Sequence, residues 1–290
     1  MKFNYFALLA ATAAALTACG GGGGGDAGIA PQTPVTVSSS VDSSRLGFSG
    51  SVSAPLNTTD TVTLFVTSGS NGSTKDQVTQ DSKGAIVKFG GFSLGGDYGV
   101  QEIAGNSSFA LGRWSAGDQS VYDPIAKVTA TENLLKYTNG STYYVTLHQP
   151  KTALANFNGG AVNACTETYI TKPKNTNGLG DSFARSFSIQ NGTVKFDTIG
   201  NAAVEFTINV ADSKSSGTTT FLTDIRWLQD FGVYNGFNVL GLKGQTSRSD
   251  ANGFVQLGTN TTASVLVGGI YTIKLSSNAL YTGSFAIVCK

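Results

Sequence analysis

The chain of 290 residues has one histidine, one methionine (the first residue), six prolines and three cysteines, and only 13% of it is charged. Each shortage closes a route. With 19 Lys and Arg against 18 Asp and Glu, the net charge is +1, which leaves no basic face for nucleic acid. One histidine and few cysteines, none in paired spacing, do not make a metal centre. No Gly-x-Ser-x-Gly elbow occurs, and the glycine-rich "GFSLGG" at 91–96 lacks the Gly-Lys-Ser/Thr and helix of a phosphate cradle. No loop has EF-hand spacing, and nothing singles out a pair of catalytic carboxylates. No catalytic residue, metal or cofactor is therefore expected, and the chain does not read as an enzyme. Long apolar runs are also missing: "FALLAATAAALTA" near the start falls short of the about 20 residues a spanning helix needs.

That short run follows Lys2 and ends in small residues, the pattern of a removable secretory signal over 1–18. Its ending, "LTAC", resembles a bacterial lipoprotein signal, in which the cysteine becomes the acylated first residue. The resemblance implies lipidation of Cys19 and a membrane anchor of two or three chains. One chain holds only reversibly, at about 0.8 kcal/mol per buried methylene. Gly20 after the cysteine implies delivery to the outer membrane, at either its periplasmic or its cell-surface face. Six glycines, Gly20 to Gly25, and the polar run after them read as a flexible tether over 19–40. With Cys19 acylated, Cys165 and Cys289 remain as an even pair for a disulfide in an oxidising compartment. The loop so closed would hold about 124 residues.

The remainder reads as strands. In "AVEFTINV" Val204, Phe206, Ile208 and Val210 share one face. In "YTGSFAIVC" Tyr281, Gly283, Phe285, Ile287 and Cys289 align, and in "TVTLFVT" Val62, Leu64 and Val66 do so. Seven Asn-Gly dipeptides, at Asn71, Asn139, Asn158, Asn177, Asn191, Asn235 and Asn252, suggest tight hairpins. "SFSIQ-NG-TVKFD" is the clearest of them. Ten to twelve strands are expected between 50 and 290. Helix is sparse; "DPIAKVTATENLLKY" can open a short one, with Asp123 as N-cap. "TDIRWLQDF" reads equally as a helical turn or a strand. Closely spaced hairpins favour an all-β, antiparallel fold: a C-terminal barrel of about eight strands over 105–290, after a small β-rich module over 41–104.

Side chains that can bind are few. His148 shares a strand face with Tyr144 and Thr146, the expected wet side, where histidine chemistry could reach haem iron. Trp114 is expected to plug one end of the barrel, with Arg113 outside. Trp227, Phe231, Tyr234 and Phe237 crowd a short segment and serve either as core or, if exposed, as a binding patch.

From "FALGRWSAGD" onward the order of parts resembles the barrel domain of the transferrin-binding-protein-B-like and factor-H-binding-protein-like surface lipoproteins. An aromatic strand (Tyr143 to Leu147) precedes a small-residue hairpin (Asn158 to Gly160) and a "T-x-T-Y" strand (Thr166 to Tyr169). Val194 to Phe196 and Val204 to Val210 follow as an apolar pair. The likeness covers about 105–290. It implies a barrel and a role in binding an extracellular protein or haem-type ligand, as for a nutrient carrier. The ending "YTGSFAIVCK" keeps only Gly283 and Phe285 of the group's closing Gly-x-Phe-x-Gly strand. No binding residue transfers. A structural or adhesive envelope lipoprotein without a small ligand is the alternative.

Overall fold

The structure, a computed structural model, describes residues 52–56, 61–66, 71–74, 78–123, 125–136, 141–149, 162–196, 201–223, 226–227, 240–245, 251–261 and 264–290. These residues form eighteen strands and one 3-10 turn. The first eight strands are β1 (Thr61–Val66), β2 (Asn71–Thr74), β3 (Val78–Gln80), β4 (Ile86–Phe89), β5 (Phe92–Asn106), β6 (Phe109–Asp123), β7 (Val128–Asn133) and β8 (Thr142–Gln149). They form one antiparallel sheet, ordered β2-β1-β8-β6-β5-β4-β3, with β7 paired to β6 beyond the end of β8.

The other ten are β9 (Val162–Ile170), β10 (Lys174–Asn175), β11 (Ser186–Phe196), β12 (Asn201–Ala211), β13 (Ser216–Thr223), β14 (Arg226–Trp227), β15 (Leu240–Gln245), β16 (Asn252–Thr261), β17 (Ser264–Lys274) and β18 (Leu280–Cys289). Eight of them, β9, β11, β12, β13, β15, β16, β17 and β18, pair antiparallel in chain order, and β18 returns to β9. The ring is closed, which removes edge strands. The expected eight-stranded barrel is present.

Alternation fills it. Val204, Phe206, Ile208 and Val210 of β12 point inward with Tyr281, Phe285, Ile287 and Cys289 of β18. Phe206 lies 4.7 Å from Phe285 and 5.5 Å from Phe221 between ring centroids, and Tyr271 borders both Phe221 and Phe285. Each large apolar side chain so buried contributes about 1.5–3 kcal/mol. Cys165 and Cys289 face each other across the closing seam and are disulfide-bonded.

The clearest expected hairpin is a bulge instead. β11 runs unbroken through Asn191 and Gly192, and its register to β12 shifts between Gln190 and Thr193. Asn191 takes the positive φ (54°) that a type I′ turn would use, here to bend one strand. Gly192 is bare because a Cβ there would stand 2.7 Å from Cys165 Cβ. Asn71-Gly72 and Asn252-Gly253 likewise lie in strands. Only Asn177-Gly178 is a turn, with Gly178 at φ 72°; the other three dipeptides lie outside the described residues.

The sheet boundary also departs from expectation. β6 and β8, within 105–149, belong to the first sheet, and the barrel begins at Val162. Tyr143 to Leu147 is thus not a barrel strand. Asn158 to Gly160 lies outside the described residues, whereas Thr166 to Tyr169 lies in β9. The two sheets meet on the outside of the barrel wall. Ala104, Phe109, Leu111, Val145 and Leu147 pack on the outward Leu266, Ile270, Ala286 and Val288. This covers the side of β18 that alternation leaves to water and the same side of β17, so both strands are buried on both faces. Gly268 permits the approach: a Cβ there would stand 2.7 Å from Leu147 Cδ2.

The opposite face of the first sheet has its own core of Leu56, Ile86, Phe89, Leu94, Ala110, Trp114, Leu134 and Tyr144. Trp114 plugs this core and not the barrel. Its Nε1 donates to the Ile86 carbonyl at 2.7 Å, and the Ile86 amide donates to the Tyr144 hydroxyl. No helix opens at Asp123. Its carboxylate accepts from the amides of Ile125 and Ala126, Lys127 takes a positive φ, and the β-branched run from Val128 continues as β7.

Candidate functional site

Most of the residues singled out in the sequence do not form a site. His148 is buried, at 8% exposure, on the core side of β8, and its amide donates to the Ser108 carbonyl. The expectation of a wet strand histidine fails because both faces of β8 are covered: one by the barrel, the other by the first sheet's own core. Trp227 sits in the two-residue strand β14, paired to β12. Phe231, Tyr234 and Phe237, like Cys19, lie outside the described residues. Among the described residues, no three His, Cys, Asp or Glu side chains group to hold a metal.

A polar cluster joins the two sheets. Arg113, expected outside, is 5% exposed and ion-paired to Glu102 at 2.9 Å. Burial pulls the Arg113 guanidinium down, but the Glu102 charge beside it leaves it above its usual value. The second Glu102 oxygen accepts from the Lys172 amide on the barrel side. Glu102 itself sits at φ 56°, at a register shift of β5, a strained position held by these bonds. Arg113, Lys172 and Lys174 all stand over the Phe183 ring, at 4.8, 5.5 and 5.5 Å. Tyr143 donates to the Lys172 carbonyl at 2.7 Å, and its phenol is pushed well up by burial and then by Glu102. With every one of these groups engaged across the junction, the cluster works as a clasp.

A second clasp closes one end of the barrel. Tyr281 donates to the Asp181 carbonyl and lies 3.1 Å from Asp212 Oδ2. Burial and the nearby carboxylates push its phenol up to about 12, against a smaller opposing effect of Asn175. Burial raises the Asp212 carboxyl, but the amides of Lys214 and Ser215 and the Tyr281 hydroxyl leave it below its usual range.

The exposed apolar surface lies elsewhere. Of the seven large hydrophobic residues that are exposed among those described, five lie on one ribbon of the first sheet: Tyr98, Tyr122, Ile125, Val128 and Leu135. Tyr98 stands on the bulge of β5 opposite Gly117, whose Cβ would clash with it at 2.7 Å. Ile125, 72% exposed, forms the tip between β6 and β7. Leu135 turns outward where its neighbour Leu134 turns into the core. The pairing sets Phe92 beside Val121 and Val121 beside Ala130, an apolar row that runs from the core towards the open side of β7. The other face carries Tyr122, opposite Thr129, and the polar pairs Ser120 with Thr131 and Asp118 with Asn133, both hydrogen-bonded. Such a ribbon can bind by apolar contact and by strand addition. The sequence reading missed it because a short helix was expected to open at Asp123. The signals were a β-branched run after the Asp-Pro turn and the Leu134-Leu135 doublet, of which a strand end can bury only one.

No protein-family model matches the chain, and no curated protein matches it.

Proposed function

We propose that this chain is a non-catalytic binding protein of the bacterial outer membrane, anchored by acyl groups on Cys19, and that its first sheet presents the contact face. The observation that carries this reading is the concentration of exposed apolar side chains on the β5–β7 ribbon, beside a barrel whose interior is filled by its own aromatics. Exposed apolar side chains gathered on one ribbon mark a contact region, here with Tyr122 on one face, Val128 on the other and Ile125 at the tip. The partner class is an extracellular protein of the nutrient-carrier type, with haem-type cargo, as the likeness to transferrin-binding-protein-B-like lipoproteins implies. The barrel then acts as a rigid support behind the first sheet, into which the glycine tether leads.

The test is capture from growth medium or serum by the immobilised protein, read by mass spectrometry, beside the triple variant Tyr122→Ser, Ile125→Ser, Val128→Ser. A partner held by the wild type and lost by the triple variant is expected. Identical captures by both would sink the reading. A second reading, an adhesive envelope lipoprotein without a small ligand, is favoured by one feature: the patch comes from a single module and ends in an open strand edge.

A further inference from the structure

β7 is that open edge. Among the described residues it pairs only with β6, and five of its six residues are exposed. Edge strands are ordinarily blunted by lysine, proline, a bulge or an inward charge. Val128–Asn133 contains no lysine or proline, its register to β6 is unbroken, and its one charge, Glu132, is exposed.

The segment is also self-matching. Val128, Thr129, Ala130, Thr131 and Glu132 are nearly symmetrical about Ala130. Two antiparallel copies related by a two-fold axis normal to the sheet keep their faces. Registers that join like faces therefore pair residues of equal parity. The register centred on Ala130 sets Thr129 opposite Thr131 of the second copy, a favourable hydroxyl pair. Glu132 then faces Val128, so no like charges meet. The apolar row Phe92, Val121, Ala130 continues across the axis into the same row of the second copy.

We infer that the protein pairs with a second copy of itself, edge to edge through β7, in the antiparallel register centred on Ala130. The inference rests on the ribbon being the contact face. The two β5-β6-β7 ribbons become one six-stranded sheet, and closed two-fold symmetry limits the assembly to a dimer.

The test uses the full chain with Cys19→Ser, which leaves no thiol outside the Cys165–Cys289 bridge. Sedimentation velocity over a concentration series should show a monomer–dimer equilibrium. Ala130→Cys should give a covalent dimer on a non-reducing gel, because directly opposed Cα atoms lie within disulfide reach. Lys214→Cys, at an exposed barrel turn, should stay monomeric. Ala130→Lys sets two charges opposite each other and should abolish the dimer, while the melting temperature at a dilution where the unsubstituted chain is monomeric stays unchanged. The inference is overturned if the chain sediments as a monomer throughout, if Ala130→Cys cross-links no faster than Lys214→Cys, or if Ala130→Lys still dimerises. A monomer that still captures a partner through Tyr122 and Ile125 would overturn the pairing and leave the contact face standing.

Discussion

The two halves of the molecule use the same strand chemistry to opposite ends. The barrel closes on itself: β9 meets β18, the disulfide ties the seam, and inward residues fill the axis. The first sheet does not close among the described residues, and its β5–β7 end extends past both cores with apolar side chains in water. Closure gives each of the eight barrel strands a partner on both sides and leaves little to bind with. An open ribbon keeps unspent hydrogen-bonding groups and apolar area, so stability and recognition fall on different halves.

Substitutions should separate the halves, beginning with the largest effect. Replacing both Cys165 and Cys289 with alanine frees a loop of 124 residues and should cost about 4–5 kcal/mol in urea unfolding. Glu102→Gln leaves Arg113 buried without its charge partner and should cost about 3–5 kcal/mol; the clasp should loosen first, seen as faster hydrogen exchange in β5 and around Lys172. Gly268→Ala places a methyl against Leu147 and should cost about 1–3 kcal/mol by wedging the first sheet from the barrel wall.

Acid should act on the barrel end. The carboxyls of Asp181 and Asp212 are both held below their usual range in the fold, Asp181 by hydrogen bonds from Ser213 and Arg185 and Asp212 by the amides of Lys214 and Ser215. Their stabilisation is complete above the unfolded value of about 4 and is lost as pH falls through the lower folded values. The melting temperature should therefore be flat above about pH 5 and fall below about pH 4. Asp212→Asn should flatten that fall. The smallest effect belongs to the ribbon: Val128→Ser and Ile125→Ser should shift unfolding by no more than about 0.5 kcal/mol, because both side chains are already exposed. Their effect should appear only in association.

The class of the fold was legible in the sequence because burial imposes period two. Val204 to Val210 and Tyr281 to Cys289 point inward as their alternation requires. The disulfide followed from the parity of the cysteines. What was not legible depends on distant partners. Asn191-Gly192 has the same local chemistry in a hairpin and in a bulge, and the choice is made by β12 and by the disulfide beside Gly192. The outward face of β18 looked wet by alternation, yet "LYTGSFAIVC" carries Ala286 and Val288 on it, a trace of the sheet that covers them. The candidate site was hidden for a related reason: Asp123 caps a turn as readily as a helix, and only pairing with β6 decides which.

Hydrogen–deuterium exchange of the dilute full chain measures the contrast between the halves most directly. Amides of β9 and β18 should exchange as slowly as those in the middle of the barrel, at β16 and β17, while β7 exchanges orders of magnitude faster. A seam that exchanges as fast as β7, or a β7 as protected as the barrel at low concentration, would contradict a sealed cylinder carrying an open ribbon.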